Sequence, residues 1–354
     1  MINGLKIYGN DKLFKDLKDK NPIFSCVIAT TETAKIPGVS GAGASPELME
    51  YTPAGDVELI IRGELVCCEI PPQTVVDGIS APTPALITKA VLELTNIPFI
   101  VANAGSKIKP NVPYVLLSND YGKNIRNGNG VNNPKKIFEM AKLFSKEISK
   151  TTDYLVIGES IPAGTTTSLG VLTGLGYDAD FKVSGSKPEN PHELKKKIVI
   201  EGMNKANILI GKSDPFDVVS AVGDPMIPAV AGMVLGTDLP VILAGGTQMA
   251  SVAAFIKKIE PDFDFSKIAI STTSFVAKDE TSDILNLIKQ ISKDLSLYVA
   301  YPNFKGSKNT GLENYYNGFV KEGVGAGGAI LMALLKNKSI EEISSKIIET
   351  VENI

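Results

Sequence analysis

The chain of 354 residues has one histidine, three cysteines, two arginines and no tryptophan. The histidine is His192 and the cysteines are Cys26, Cys67 and Cys68. No CxxC or HExxH spacing occurs, which removes the ordinary frameworks for catalytic zinc. A formal net charge of −3 and a pI near 5.5 exclude a protein that holds nucleic acid by bulk charge, since counterion release needs a concentrated basic surface. No apolar run approaches the roughly 18 to 20 residues that span a bilayer. The opening MINGLKIYGND lacks a charged, then apolar, then small pattern, and with so little cysteine the expectation is a cytoplasmic protein.

Glycine, by contrast, is plentiful, with 32 residues. With only Arg62 and Arg126 as arginines, anion binding would rest on lysines and backbone amides. The length allows two domains, or one large α/β domain with an appendage.

Short β-branched runs alternate with stretches of helical period, the pattern of parallel βαβ units. Strands are predicted near Ile23–Ala29, Val57–Ile61, Phe99–Asn103, Tyr154–Ile157, Val241–Ala244, Ile268–Ser271 and Leu297–Ala300. Helices are predicted over Pro82–Leu94, Pro134–Ile148, Glu193–Asn204, Gln248–Ile259 and Thr281–Lys293. Residues 1–20 and 312–354 read as helices without interleaved strands. The arrangement implied is an open, mostly parallel sheet covered on both faces, with ligands beyond the carboxyl ends of the strands. A small helical domain formed by 1–20 and 312–354 would accompany a large α/β domain over 21–311. The Gly- and Pro-rich segments Pro37–Gly55 and Lys182–Pro191 read as active-site loops or hinges.

Four segments could carry chemistry. Gly158-Glu159-Ser160-Ile161-Pro162-Ala163-Gly164-Thr165-Thr166-Thr167 leaves a strand and enters an apolar helix. Such a turn offers free N–H groups and a partial positive charge to a phosphate, although Thr capping alone would also explain it. The spacing is not that of a P-loop, and Thr165 stands where its lysine would be. Lys321-Glu322-Gly323-Val324-Gly325-Ala326-Gly327-Gly328 satisfies GxGxxG, but no clear strand precedes it and no acidic strand end follows, so a dinucleotide site is disfavoured. Glu322, against an apolar helix, suits a general base with a raised pKa; a solvated Glu at a helix start is the plainer alternative. Gly245-Gly246-Thr247-Gln248 joins a strand to a helix, where glycines serve ligand approach or close packing. Asp77–Pro84 enters a helix through Ser80, Pro82 and Thr83. Met226–Gly236, with Gly232 and Gly236 four apart, reads as a tightly packed core or dimer helix. His192 is expected in a loop or at a helix N-terminus, and Cys67-Cys68 as a half-buried strand pair.

In order, these segments resemble the nicotinate-nucleotide:dimethylbenzimidazole phosphoribosyltransferase family, in a divergent archaeal branch, over roughly residues 57 to 337. The family's Gly-Glu-Met-Gly-Ile-Gly-Asn-Thr-Thr block is similar to Gly158–Thr166. Its Gly-Glu-Gly-Thr-Gly-Ala block is similar to Lys321–Ala326, which puts the family's catalytic base on Glu322, with Glu159 as a second catalytic carboxylate. Its Gly-Val-Ser-Ala-Tyr-Pro base-binding segment resembles Gly78–Pro82, and its Asp-Gly turn corresponds to Gly245-Gly246. The resemblance implies phosphoribosyl and nicotinate contacts from Gly164, Thr165, Thr166, Thr167, Lys197, Gly245, Gly246, Ser307 and Gly323, with Lys195 and Lys196 competing for the place of Lys197. It implies base contacts from Ser80, Pro82, Thr83 and Gln248. The family's Asp-His-Gly motif is absent, Ala81 replaces its aromatic residue, and Gly245 replaces its Asp.

The resemblance further implies a Rossmann-like fold, a homodimer, and no metal or redox cofactor. The partners implied are nicotinate mononucleotide and a benzimidazole-like or purine base, with neither nucleic acid nor membrane. The expected reaction moves ribose 5-phosphate to that base in cobamide biosynthesis, inverting to an α-nucleotide and releasing nicotinate. A nucleotide kinase or hydrolase, and a non-catalytic nucleotide-binding or regulatory protein, are the rivals.

Overall fold

Apolar, β-branched runs that do not alternate belong to strands buried on both faces. The longest, β2 (Pro22–Ala29), is buried at all eight positions in a computed structural model that describes residues 2–43, 45 and 47–354. Met1, and Ala44 and Pro46 of the Pro37–Gly55 loop, lie outside the described residues.

Along the chain, β1 (Leu5–Tyr8) and α1 (Lys12–Leu17) precede β2, and α2 (Thr52–Ile61) leads to the hairpin of β3 (Gln73–Val76) and β4 (Ile79–Pro82). Then come α3 (Ala85–Thr95), β5 (Phe99–Gly105), β6 (Tyr114–Leu116), α4 (Pro134–Ile148), β7 (Tyr154–Ser160), α5 (Gly164–Gly174), α6 (His192–Lys205), α7 (Pro215–Val222) and α8 (Met226–Leu235). The remainder is β8 (Val241–Ala244), α9 (Thr247–Ile259), β9 (Ile268–Thr273), α10 (Ser274–Ala277), α11 (Ile284–Ile291), β10 (Ser296–Ala300), α12 (Thr310–Glu313), α13 (Ala326–Leu335) and α14 (Ile340–Glu352).

Eight strands form one sheet in the order β1-β10-β9-β8-β7-β2-β5-β6, parallel except for β1, which runs antiparallel to β10. Strand order reverses between β2 and β7, and at such a switch point the carboxyl ends of the strands open a crevice. One core, with α4 to α9 and α11, covers one face; a second, with α1, α2, α3, α13 and α14, covers the other. The α/β, Rossmann-like architecture is therefore the one the sequence implies.

Three local expectations differ. Val57–Ile61 is helix, part of α2, which starts at Thr52-Pro53 and is buried on every side from Thr52 to Leu59. A helix enclosed all round shows no amphipathic period, and its β-branched residues then read as a strand. The first twenty residues are not helix alone, because Leu5–Tyr8 pairs with Ala300–Leu297 as an edge strand of four residues. Cys67 and Cys68 are half-buried but lie in the loop after α2, with sulfurs 3.7 Å apart. Met226–Leu235 forms the buried helix α8, wedged against α4, where a Cβ on Gly232 would sit 2.3 Å from the Phe138 carbonyl oxygen. The glycines of 323–328 have a related purpose. A Cβ on Gly327 would lie 2.2 Å from the Thr272 carbonyl carbon, so their absence lets α13 lie directly on the sheet. Among the described residues, no helix is long and apolar enough to cross a membrane.

Candidate active site

The ends of β7, β8 and β9 converge on a cleft that opens to solvent at its mouth. From β7 the chain delivers Glu159 and Ser160, then turns through Ala163, held at φ +66°, into α5. Gly164 and Thr165 line the cleft at the start of this helix of 11 residues. Thr166 and Thr167 are buried beneath it; the Thr167 hydroxyl donates to the Gly164 carbonyl at 2.9 Å and to the Asp224 carboxylate. From β8, Gly245 stays in the sheet, its N–H donating to the Ser271 carbonyl at 2.9 Å, while Gly246, Thr247 and Gln248 line the cleft. The Gln248 Nε2 is sealed from solvent without a partner.

Glu322 closes the cleft from the far end of the chain. Oε2 accepts from the Thr273 N–H at 2.9 Å and the Thr272 hydroxyl at 3.2 Å; Oε1 accepts from the Gly323 and Gly327 N–H groups, each at 3.2 Å. Burial pushes its pKa up to about 7, against the opposing pull of those four donors. The backbone around it is strained: Val320 and Val324 adopt φ of +41° and +51°, a region hostile to β-branched residues. Val324 is held there because its N–H donates to the Glu159 carbonyl at 2.8 Å and its carbonyl accepts the Thr88 hydroxyl at 2.9 Å. Such outliers persist only where the surroundings over-determine them, and they gather at functional sites.

Three more carboxylates are buried, Glu159, Asp56 and Asp224, and the charges of the last two and of Glu322 all reach Glu159. Glu159 is 3% exposed and its pKa is held well above the usual range, by burial first and then by the charges of Asp224 and Glu322. Asp56 on α2 accepts the Thr83 and Ser160 hydroxyls, both at 2.7 Å, and burial raises its pKa to about 6. Asp224, also raised to about 6 by burial, caps α8 by accepting from the Met226 N–H at 2.9 Å and the Ile227 N–H at 3.3 Å.

Positive charge enters beside the loop of residues 183–187. Lys321 pairs with Asp279 at 3.0 Å, and both are nearly sealed from solvent. Lys195, fully buried, donates to the Ser184 carbonyl and to Asn190 Oδ1, each at 2.7 Å. Burial and the neighbouring Lys321 push its pKa down to about 7. Among the described residues, no three His, Cys, Asp or Glu side chains are grouped to hold a metal ion.

No family model matches the chain. A UPF0284 protein of Methanothermobacter thermautotrophicus is 53% identical over 356 residues, covering 100% of this chain and 99% of its own. The chain belongs to the UPF0284 family. Other members are the UPF0284 proteins of Methanocaldococcus jannaschii, 42% identical over 97% of this chain and 96% of its own, and of Methanopyrus kandleri, 40% identical over 98% and 91%. Two solved structures from Thermus thermophilus share the fold. One is a nicotinate-nucleotide-dimethylbenzimidazole phosphoribosyltransferase, with TM-score 0.59 and 17% identity, covering 93% of this chain and 83% of that one. The other is CobT, with TM-score 0.58 and 17% identity over 93% and 84%.

Of the residues singled out from sequence, the UPF0284 fold brings Glu159, Gly164, Thr165, Gly246, Gln248, Thr83, Glu322 and Gly323 to the cleft. The others lie elsewhere. Lys197 is exposed on α6, and it is Lys195 that turns inward beside Ser184 and Gly185. The Ser307 hydroxyl donates to Glu352 at 3.0 Å, outside the cleft. Ser80 is exposed on the β3–β4 hairpin, its carbonyl accepting from Asn314 at 2.7 Å, and the Pro82 carbonyl accepts the Tyr315 hydroxyl at 2.7 Å. Neither Ser80 nor Pro82 lines the cleft, nor do Thr166, Thr167 and Gly245. His192 opens α6, its ring 4.8 Å from that of Phe181. Sequence reading missed Thr52, Asp56, Asp224 and the Lys321–Asp279 pair. An Asp inside an apolar stretch was the available signal for Asp56, because such a charge needs buried partners.

Proposed function

We propose that this protein is a phosphoribosyltransferase that moves ribose 5-phosphate from nicotinate mononucleotide to a nitrogen heterocycle of the benzimidazole or purine class, in cobamide assembly. The observation that carries the reading is Glu322: a carboxylate fixed by four donors at the cleft, with its pKa pushed by burial to about 7, is tuned to accept a proton near neutral pH. The shared fold of the Thermus thermophilus phosphoribosyltransferase supports it.

In this reading the C1′–N bond to nicotinate breaks, and its electron pair neutralises the pyridinium nitrogen. One ring nitrogen of the acceptor attacks C1′ from the opposite face, inverting β to α, while the proton on its other nitrogen passes to Glu322. The donor is already activated, so positioning and charge complementarity do most of the work. Glu159 orients or balances positive charge at the ribosyl centre. The N–H groups at Gly164 and Thr165, the Gly246 turn, Gly323 and the Lys321 ammonium group receive the donor. Thr83 and Gln248 face the acceptor. Residues 21–311 would then provide the substrate-binding part and the terminal segments, 1–20 and 312–354, the base, in a cytoplasmic homodimer without a metal or redox cofactor.

The test is to incubate purified protein with nicotinate mononucleotide and a panel of benzimidazoles and adenine, following nicotinate and the α-nucleotide by chromatography. Base-dependent release of nicotinate with equimolar α-nucleotide is expected. If no panel member releases nicotinate, the transferase reading fails.

A further inference from the structure

The wall of the cleft built by α2 and the end of β7 is richer in hydrogen-bond acceptors than its surroundings require. Thr52 and Asp56, one helical turn apart on α2, both line the cleft. Each Asp56 oxygen takes one hydroxyl, from Thr83 and from Ser160, both at 2.7 Å, whereas a carboxylate can accept about four donors. The Ser160 proton is committed to Asp56, so that hydroxyl offers the cleft only lone pairs. Thr52 is 9% exposed and its hydroxyl oxygen is sealed from solvent without any partner. A buried hydroxyl left unpaired is costly, and it is satisfied when a ligand supplies the missing group.

Charge decides which part of the substrates this wall faces. Lys321, which lines the cleft, is paired with Asp279 at 3.0 Å, and among the described residues no lysine or arginine pairs with Asp56. An unneutralised carboxylate repels the 5′-phosphate, which leaves the uncharged acceptor for this side. Thr83, one of the two hydroxyls on Asp56, is also a residue proposed above to face the acceptor.

We infer that the acceptor base carries a hydrogen-bond donor on its ring, an amino or hydroxyl substituent that engages Thr52 and the Asp56–Ser160 pair, and that bases bearing only methyl groups there are poor substrates. The inference rests on the phosphoribosyl-transfer reading for the identity of the ligand. A methyl group against this wall leaves the hydroxyl and carboxylate unpaired, and sites that hydrogen-bond a substrate discriminate strongly against analogues lacking the polar group.

The experiment compares 5-aminobenzimidazole, adenine, benzimidazole and 5,6-dimethylbenzimidazole as acceptors with nicotinate mononucleotide, and titrates the same bases into the protein by calorimetry. Expected is a preference of at least about tenfold in kcat/KM and in affinity for 5-aminobenzimidazole over 5,6-dimethylbenzimidazole. Thr52→Val, which keeps the shape and removes the hydroxyl, compresses that ratio about threefold or more. A dimethyl base used as well as the amino base overturns the inference while leaving the transfer reading intact, and so does a ratio unmoved in Thr52→Val. If no base releases nicotinate, the transfer reading falls, and the calorimetric preference and its response to Thr52→Val still decide whether the wall selects donor-bearing heterocycles.

Discussion

Glu322 can act as a base only when ionised, and burial places that ionisation near neutrality. The prediction at this scale has two parts. Glu322→Gln lowers kcat about 10² to 10⁴-fold while nicotinate mononucleotide still binds, as equilibrium titration would register. In the wild type, kcat/KM rises with pH as the carboxyl loses its proton through about 7, and this limb disappears in the variant. A variant that turns over at the wild-type rate would remove Glu322 from the chemistry. The same residue explains what sequence can reveal. Neighbouring glycines, Gly323 after Glu322 and Gly158 before Glu159, announced the two carboxylates, because close approach to a sheet or ligand leaves a compositional mark. Lys195 against Lys197 was not decidable, since successive helical residues point about 100° apart and only docking of α6 fixes which of three consecutive lysines turns inward.

At the scale of elements, α2 carries most of what was hidden. Its burial on all sides erased the period that marks a helix, and with it the placement of Thr52 and Asp56 on one face. The same helix carries Glu58, whose Oε2 accepts from the Val66 and Cys67 N–H groups at 2.7 and 2.9 Å and whose Oε1 accepts from the Asn111 N–H and Nδ2 at 2.7 and 3.0 Å. Desolvation opposes its charge, but these donors win and hold its pKa at about 2. A depressed carboxyl stabilises the fold above its unfolded value of 4.5 and loses that contribution as pH falls towards 2. Glu58→Gln should therefore cost on the order of 2 to 3 kcal/mol in denaturant unfolding at pH 7 and about 1 kcal/mol or less near pH 2.5. An equal cost at both pH values would show that the donors do not discriminate charge. The loops Pro37–Gly55 and Lys182–Pro191 were legible as cleft loops from their Gly and Pro content, and Gly43 and Ser184–Ser186 do line the cleft.

Over the whole molecule, the open, mostly parallel sheet was legible because the βα alternation is regular, whereas the strand order that puts a switch point between β2 and β7 came only with the structure. The stability cost of the site was not legible either. Asp56, Glu159, Asp224 and Glu322 all have raised pKa values, so the folded state holds these protons more tightly than the unfolded one. For Asp56, Asp224 and Glu322 that contribution is fully present below about pH 4 and is lost as pH rises through about 6 to 7. The thermal midpoint should fall between pH 5 and pH 8. Asp224→Asn should raise stability at pH 8, by up to about 3 kcal/mol, and leave it nearly unchanged at pH 4. A lower midpoint for this variant at pH 8 would mean that the charge on Asp224 supports the fold.

The strained strip from Val320 to Val324 also follows every other cleft residue in chain order. A growing polypeptide therefore emerges with the α5 and α9 turns well before the strip that carries Glu322, so the cleft closes only when its last-made wall docks through the Val324 N–H on the Glu159 carbonyl.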